Sequence, residues 1–253
     1  MPRIGNGIFG VGDCFDLMAK LPAQSVDMVL CDLPYGTTAC KWDAILPFEQ
    51  LWAEYWRICK PHAAVVLTAS QPFTSALVMS QPKRFKHEWI WRKNAGSNFA
   101  ATKWQPMKEH ESVLVFAEGS PTYNPIKQER SEGGKKMRAG KPIISGPSPS
   151  DGVYGSANKG YDTSNVDPIM RVPSSVQNFN RERGLHPTQK PVALFEYLIR
   201  TYTNEGDTVL DNTAGSGTTA IAAENAGRKW ICIERDEEYA AKAMARIAEH
   251  VRV

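Results

Sequence analysis

A four-residue motif that begins with an aspartate, at the end of an apolar run, limits what this chain can fold into. Residues 26–31 (Val-Asp-Met-Val-Leu-Cys) are mostly apolar, and Asp32-Leu33-Pro34-Tyr35 follows them directly. A run of this length predicts a buried strand, and Pro34 predicts its end, because proline has no N–H to donate to a strand ladder. We therefore expect these four residues, hereafter the Asp32 box, at the end of a buried strand.

The residue types in the Asp32 box suit chemistry on the exocyclic amine of a nucleic-acid base. That amine is a poor nucleophile, because its lone pair is delocalised into the ring. Asp32 can accept one N–H and a main-chain carbonyl beside Pro34 can accept the other, which stabilises the positive charge that develops on nitrogen. Pro34 restricts Leu33 and so fixes that carbonyl, and Tyr35 offers a face for an extruded base. The alternative is a plain strand end, with Asp32 as a cap and Tyr35 in the core.

Size and composition describe an ordinary globular protein. The 253 residues suffice for one large α/β domain with an insertion or for two small domains. Hydrophobic residues make up 42%, and no apolar run approaches the roughly 20 residues that span a bilayer. The N-terminus lacks a charged and apolar leader, and the five cysteines show no C-x-x-C spacing. We expect a cytoplasmic protein with neither a disulfide framework nor a metal site.

Two blocks of strand and helix patterns flank a middle segment of different character. In the first block, residues 1–117, and the last block, residues 186–253, apolar runs predict strands and helical spacing predicts helices. Strands are predicted at 26–31, 63–68, 87–92, 113–117, 208–210 and 230–233, and helices at 47–59, 191–203, 216–226 and 237–251.

The middle segment, residues 118–185, is rich in proline and glycine. It has seven prolines and nine glycines, and ten basic residues against seven acidic ones, an excess equal to the net charge of +3 on the whole chain. Compact domains usually keep so long a loop for a function. We predict an insertion that contacts DNA; the alternative is a disordered surface insertion. The predicted DNA contacts are Lys93, Lys127, Arg130, Lys135, Lys136, Arg138 and Lys141.

Aromatic and basic residues cluster in the strand predicted at 87–92 and in the segment that follows it: Trp89, Trp91, Lys93, Asn94, Lys103 and Trp104. Trp89 is expected to pack in the core. For Trp91 and Trp104, which lie near Lys103, packing and contact with a base or backbone are both open. Phe73 is open in the same way, as a core residue or as part of the wall of the site.

A glycine turn lies between a strand and a helix in the last block. Glycines let a backbone turn tightly and approach a ligand, and the start of a helix presents free N–H groups. No lysine follows Gly217, so this is not a Walker loop, and the third glycine of a dinucleotide fingerprint is absent. Glu234 ends the next strand, about 20 residues on, where an acid accepts hydrogen bonds from ribose hydroxyls. The turn comprises Asp211, Asn212, Thr213, Ala214, Gly215, Ser216, Gly217 and Thr218.

With both motifs present, the chain resembles the β class of S-adenosylmethionine-dependent DNA amino-methyltransferases. In that class the catalytic box comes first, then a target-recognition insertion, then the cofactor glycine turn. The resemblance covers roughly residues 8–117 and 185–250. It implies an α/β, circularly permuted Rossmann-like fold with a mixed, mostly parallel seven-stranded sheet, helices on both faces and a loop-rich insertion at 118–185. This sequence departs from the class in Leu33, where proline is usual, and in Asn212-Thr213, where Pro-Phe is usual.

The resemblance also implies residues that bind the cofactor. Gly12-Asp13-Cys14 is similar to the class's contact to the cofactor adenine, with Asp13 receiving the adenine amine. His186-Pro187-Thr188-Gln189-Lys190-Pro191 matches the signature H-P-T-x-K-P, which contacts the methionine end. The implied S-adenosylmethionine contacts are Asp13, Cys14, Asp32, His186, Thr188, Lys190, Asp211, Asn212, Thr213, Ala214, Gly215, Ser216, Gly217, Thr218, Glu234 and Arg235.

The implied activity is transfer of a methyl group to the amine of a base flipped out of double-stranded DNA, with Asp32, Leu33, Pro34 and Tyr35 as catalytic residues. An Asp-led box in this class favours adenine N6 over cytosine N4. Members of the class often pair as homodimers and occur in bacterial, archaeal or phage-infected cells. Two rival classes stay open: a methyltransferase of RNA or protein glutamine, and a non-catalytic DNA-binding protein on the same fold.

Overall fold

A nine-stranded mixed sheet, built from both ends of the sequence, is the framework of the protein in a computed structural model. The structure describes residues 1–37, 43–138, 167–182 and 189–252, with the side chains of 137 and 138 excepted. The chain divides into a larger unit, Met1–Asn124 with Ser175–Val253, and a smaller one, Pro125–Ser174. No helix within the described ranges is long and apolar enough to cross a membrane.

The strands of the larger unit supply the sheet. They are β1 (Arg3–Ile4), β2 (Gly7–Val11), β3 (Val26–Asp32), β4 (Cys59–Ala69), β5 (Phe85–Ser97), β6 (Lys108–Phe116), β9 (Val176–Asn178), β10 (Thr208–Asp211) and β11 (Lys229–Glu234). Its helices are α1 (Cys14–Met18), α2 (Phe48–Ile58), α3 (Phe73–Ser80), α5 (Val192–Tyr202), α6 (Thr218–Asn225) and α7 (Glu237–Val251).

Strand order explains how distant parts of the sequence meet. The order is β1-β2-β11-β10-β3-β4-β6-β5-β9. In this order the five strands β2-β11-β10-β3-β4 are parallel to one another, whereas β1 and β6 run antiparallel to their neighbours. In the centre, β10 from the last block pairs with β3 from the first, with Val209 opposite Met28 and Leu210 opposite Val29. The carboxyl ends of these two strands therefore lie at the same edge of the sheet.

Strand β3 is buried on both faces of the sheet. Met28 and Leu30 belong to a core with α5, α6 and α7, which contribute residues such as Phe195 and Ile221. Val29 and Cys31 face the opposite core, formed with α1, α2 and α3. This alternation follows from the two-residue period of a strand, and it explains why the sequence shows a continuous apolar run.

The predicted mixed α/β sheet with helices on both faces is confirmed, but it has nine strands where seven were expected. The two outermost strands, β1 and β9, have only two and three residues, too few to form a sequence pattern. The helix predicted at 237–251 has those bounds in the structure. Helices α1 and α3 were not predicted, since α1 spans five residues and α3 has no clear helical alternation.

Part of the predicted insertion lies in the large sheet. Strand β9 pairs in parallel with β5, with Val176 opposite Ile90. The smaller unit contains β7 (Gln128–Glu129), antiparallel to β8 (Met170–Arg171), and helix α4 (Glu132–Arg138). The division into a catalytic half, an insertion at 118–185 and a cofactor half stays a prediction.

Tyr202, at the end of α5, ties that helix to β5. Its buried hydroxyl accepts a hydrogen bond from Trp89 Nε1 at 2.6 Å and lies 2.7 Å from His87 Nε2. Burial lowers the pKa of His87 from its usual value, so the neutral ring is favoured in this contact. Tyr197, on the same helix, has a buried hydroxyl with no hydrogen-bond partner among the described residues.

These two tyrosines provide a matched test of what holds α5 against the sheet. Tyr202→Phe leaves the buried Trp89 N–H without its acceptor, so we expect the free energy of unfolding to fall by about 1–3 kcal/mol. Tyr197→Phe removes no hydrogen bond seen in the structure and should change it by less than about 0.5 kcal/mol. Urea unfolding followed by fluorescence measures both, and equal stability of the two variants would contradict the role given to Tyr202.

Candidate functional site

The Asp32 box and the glycine turn meet at the carboxyl edge of the sheet. Thr213 Oγ1 donates a hydrogen bond to the main-chain oxygen of Asp32 at 3.1 Å, although the residues are 181 positions apart in sequence. Next to it, Cys31 Sγ donates to Asn212 Oδ1 at 2.9 Å. Because β3 and β10 are parallel neighbours, the two motifs form one continuous wall.

Three donors orient the Asp32 carboxylate. Oδ1 accepts hydrogen bonds from the Tyr35 hydroxyl at 2.6 Å and from Thr68 Oγ1 at 2.5 Å. Oδ2 accepts one from Lys190 Nζ at 2.7 Å. The Asp32 side chain is still 24% exposed. It is therefore fixed by the protein and open on one side to a ligand.

The aromatic ring of Tyr35 is partly covered by protein. It stacks on buried Phe73, with ring centroids 5.1 Å apart. Lys190 Nζ lies 5.6 Å from the centroid of the Tyr35 ring. Burial, and then the charges of Asp32 and Glu111, raise the pKa of Tyr35 well above its ordinary value. The phenol is therefore a neutral donor to Asp32, and Phe73 is both a core residue and part of the wall behind that donor.

Lys190 connects Asp32 to a second buried acid, Glu111. Its ammonium lies 3.3 Å from Glu111 Oε2, and Glu111 Oε1 accepts a hydrogen bond from Lys93 at 2.5 Å. The side chains of Lys190, Lys93 and Glu111 are 6%, 7% and 14% exposed. Burial alone would lower the pKa of Lys190, but Asp32 and Glu111 raise it. Burial alone would raise the pKa of Glu111, but Lys190 and Lys93 hold it below its usual value. Lys190 and Glu111 are thus both charged.

The sequence did not single out Thr68 or Glu111. Thr68 closes the apolar run of β4 just as Asp32 closes that of β3, and Glu111 precedes the apolar run of β6 by two residues. A polar residue at the end of a buried strand was the available signal. Which strands are neighbours, and hence which of these residues meet, needed the sheet order.

The glycine turn has one glycine fixed by packing and one facing open space. Gly217 has φ +76°, and a Cβ there would lie 2.9 Å from Ile247 Cδ1 of α7. Gly215 has φ +49°, and among the described residues no atom beyond its chain neighbours lies within 4 Å of the place where its Cβ would be. Its N–H donates to Glu234 Oε2 at 2.8 Å, and Asp236 N donates to the other oxygen. Glu234 therefore lies directly beside the open side of the turn.

Asp211 and Asn212 make contacts within the protein. Asp211 Oδ2 accepts a hydrogen bond from Thr219 Oγ1 at 2.5 Å, and burial raises its pKa to about 7. Asn212 Oδ1 accepts one from Tyr55 at 2.6 Å. Arg246 of α7 donates to the main-chain oxygen of Ser216 at 3.0 Å. These contacts fix the shape of the turn, and the cofactor contacts predicted for Asp211, Asn212 and Ser216 stay a prediction.

The residues predicted to receive adenine lie next to Glu234. Gly12 N donates to the main-chain oxygen of Glu234 at 2.9 Å. Asp13 is exposed and caps α1 by accepting a hydrogen bond from Phe15 N at 2.9 Å, while Cys14 is buried. Arg235 is exposed just after the end of β11. The structure thus brings Asp13 and Glu234 together at one edge.

The predicted DNA contacts fall in different environments. Lys127 and Lys136 are exposed, whereas Lys135 pairs with Glu129 and Glu132 at 2.5 and 2.7 Å and Arg130 donates to the Asp167 main chain. Burial of Lys93 against Glu111 argues against the DNA contact predicted for it. His186, Thr188, Lys141 and the side chain of Arg138 lie outside the described residues.

The tryptophans divide between core and surface. Trp89 and Trp91 are 4% and 3% exposed, and Trp91 Nε1 donates to the main-chain oxygen of Phe179. Trp104 is 82% exposed in the connection between β5 and β6. That connection lies at the same edge of the sheet as Asp32, since Ala69 at the end of β4 pairs with Ser112 near the start of β6. Core packing is confirmed for Trp89.

Comparisons with known proteins identify the family to which the chain is similar. The chain is 29% identical over 91% of its length to the Type II methyltransferase M.HpaI of Haemophilus parainfluenzae, covering 70% of that protein. It is also 29% identical over 97% of its length to the DNA adenine methyltransferase YhdJ of Escherichia coli K12, covering 84% of it.

Solved structures share the fold. The M1.HpyAVI–SAM complex superposes with a TM-score of 0.63 at 24% identity, over 95% of this chain and 99% of that one. The cytosine-N4-specific PvuII DNA methyltransferase superposes with a TM-score of 0.65 at 16% identity, over 99% and 93%. The model of the DNA methylase family matches residues 26–245, so this chain belongs to the N6/N4 family of DNA methylases, as its motifs indicated.

Proposed function

We propose that the protein methylates the exocyclic amine of a base flipped out of duplex DNA, with adenine N6 as the favoured acceptor. The observation that carries this proposal is the Asp32 carboxylate, held by three donors, partly exposed, and joined through Thr213 to the glycine turn. An oriented carboxylate at that edge can accept an N–H of the amine and stabilise the charge that develops on it.

The Asp32 box would act by holding the amine. Asp32 accepts one N–H, and a main-chain carbonyl next to Pro34 accepts the second, so that the nitrogen lone pair points away from the ring. Extruding the base from the duplex costs a few kcal/mol. The stacked rings of Tyr35 and Phe73 provide an aromatic wall beside the carboxylate, against which the extruded base can pack.

S-adenosylmethionine is the methyl donor of this family, and the residues at the edge fit it. The open space in front of Gly215 lets a ligand reach the backbone, and Glu234 and Asp13 lie beside it. Glu234 would accept hydrogen bonds from ribose hydroxyls and Asp13 from the adenine amine. When bound, the cofactor supplies an electrophilic methyl group on sulfonium, and the protein supplies orientation and charge stabilisation.

The choice of adenine follows from the Asp-led box and from one relative. That relative is named a DNA adenine methyltransferase, while a protein with the same fold is specific for cytosine N4. Both amines carry two hydrogens and can bind one carboxylate and one carbonyl in the same way. Cytosine N4 is therefore the second candidate acceptor.

Contact with DNA would use exposed basic residues and one exposed aromatic ring. Lys127 and Lys136 can neutralise phosphates, which gives affinity without sequence preference. Trp104 and its neighbour Lys103 project from the connection at the catalytic edge. An exposed tryptophan beside a basic residue suits stacking on an unpaired base or packing on a sugar.

Replacing Asp32 tests the catalytic role. Asp32→Asn keeps the shape of the side chain but removes its charge, so we expect the methylation rate at saturating substrates to fall by about 100-fold or more. The affinity for S-adenosylmethionine, measured by calorimetry, should fall far less than the rate, because Asp32 is only one of many implied cofactor contacts. Asp27→Asn is the control, because Asp27 lies in β3 like Asp32, precedes it by five residues and pairs with Lys60 of β4. An Asp32→Asn protein that turns over at the native rate would contradict the role of Asp32.

Replacing Glu234 tests the cofactor side. Glu234→Gln weakens its acceptance of hydrogen bonds from ribose hydroxyls, so the dissociation constant for S-adenosylmethionine should rise about tenfold or more. Glu237→Gln, an exposed acid three residues further on, serves as the control. The rate at saturating cofactor should fall much less than the affinity. Unchanged affinity in the Glu234→Gln protein would move the ribose contact elsewhere.

The acceptor base can be identified directly. Unmethylated genomic DNA treated with the protein and S-adenosylmethionine, then sequenced with base resolution, should carry N6-methyladenine within one short motif. N4-methylcytosine would favour the second candidate. Methyl incorporation into RNA or protein, with none into duplex DNA, would overturn the proposed substrate.

A further inference from the structure

Lys190 lies between the partly exposed carboxylate of Asp32 and the buried one of Glu111, and it forms a full hydrogen bond only with Asp32. Its ammonium is 2.7 Å from Asp32 Oδ2 and 3.3 Å from Glu111 Oε2. Glu111 Oε2 is buried and accepts no hydrogen bond from any residue that the structure describes. The ion pair with Lys190 offsets part of the cost of burying this oxygen, but a buried carboxylate oxygen without a well-formed hydrogen bond is uncommon.

Charge balance alone does not explain the contact. Asp32 pairs with Lys190, and Glu111 pairs with Lys93 through its other oxygen at 2.5 Å. These two pairs are already neutral without the approach of Lys190 to Glu111. Glu111 Oε2 therefore offers Lys190 a second place to donate, within reach of a small rotation of the side chain.

The chemistry proposed at Asp32 would require Lys190 to have a second acceptor, and Glu111 Oε2 is in reach. In the structure Oδ1 of Asp32 accepts from Tyr35 and Thr68, and Oδ2 accepts from Lys190. An amine that gains positive charge beside Oδ2 would lie next to the Lys190 ammonium. Two cations at one carboxylate repel each other, and they do so more strongly in a partly buried site than in water.

We propose that Glu111 is the alternative acceptor for Lys190 during the reaction. As the amine reaches Asp32, the Lys190 ammonium transfers its hydrogen bond from Asp32 Oδ2 to Glu111 Oε2. No covalent bond changes and no proton is transferred; one hydrogen bond is exchanged for another. Glu111 is thus a positioning residue that acts through Lys190, and Lys93 holds it in place. The inference rests on the function proposed for Asp32.

The test removes the Glu111–Lys93 pair as a neutral unit. Glu111→Met with Lys93→Met leaves the neutral Asp32–Lys190 pair, and two apolar side chains of similar length replace the ion pair. The same double change is also made in a Lys190→Met background, which gives a double-mutant cycle. Rates of methyl transfer to unmethylated genomic DNA are measured at saturating cofactor, together with the melting temperature and the affinity for S-adenosylmethionine.

An acceptor for Lys190 matters only where Lys190 is present. In the native background we expect the double change to lower the rate about 20-fold or more, with cofactor affinity within about threefold of the native protein. In the Lys190→Met background the same change should alter the rate by less than about threefold. Equal losses in both backgrounds would mean that the pair only supports the fold, and a native rate in the first background would also overturn the proposal.

A second measurement does not depend on turnover. In protein labelled with ¹⁵N-lysine, the ammonium resonance of Lys190 is assigned by its absence in Lys190→Met. This resonance should shift when S-adenosylhomocysteine and unmethylated duplex DNA containing the recognition motif are added. The shift should be lost in the protein with Glu111→Met and Lys93→Met. The same shift in both proteins would overturn the proposed exchange of hydrogen bonds.

The proposed function and this inference can fail separately. If the native protein methylates no DNA, the proposed function itself is wrong. If the native protein is active and the double variant is fully active as well, only the proposed exchange of hydrogen bonds is wrong.

Discussion

The parallel pairing of β3 with β10 is the contact on which the rest of the site depends. It joins two halves of the sequence that are far apart and sets the end of each strand at the same edge of the sheet. The hydrogen bond from Thr213 to the main chain of Asp32 then fixes the distance between the two motifs. Because β3 is buried on both faces, a one-residue change of its register would move Met28 and Leu30 into the opposite core, so the packing that stabilises the fold also fixes Asp32.

Local patterns in the sequence were enough to predict the elements and the motifs on them. The apolar run of β3, the helix at 237–251 and the glycine turn each carry a signal within about ten residues, from periodicity or from backbone freedom. That the Asp32 box and the glycine turn form one site followed from the resemblance to a family, and the structure brings these motifs together. Short elements were missed: β1, β9 and α1 have two, three and five residues, and their stability comes from the neighbours they pack on.

What could not be predicted was which charged residues meet. Lys93 was predicted to contact DNA, and the resemblance to the family placed Lys190 at the methionine end of the cofactor. Both side chains are at least nine-tenths buried against Glu111 and Asp32. The four residues come from β3, β6, β5 and the segment before α5, so their meeting depends on the order β3-β4-β6-β5 in the sheet. Asp211 and Asn212 show the same limit, since their side chains turn into the protein and support the backbone that a ligand approaches.

Four charged side chains packed away from most of the solvent are an inefficient way to stabilise a fold. Taking ions out of water costs several kcal/mol each, and apolar residues of similar volume often stabilise as well or better. The neighbouring core shows that this chain can fill such space with apolar residues, since Val113, Val115 and Trp89 pack close by on β6 and β5. The charges therefore point to chemistry at this edge. A carboxylate that must receive a developing cation needs a counterion while the site is empty, and that counterion must have another acceptor when the site is filled. The pair of acids on either side of Lys190 meets both requirements with side chains that the sheet holds in place.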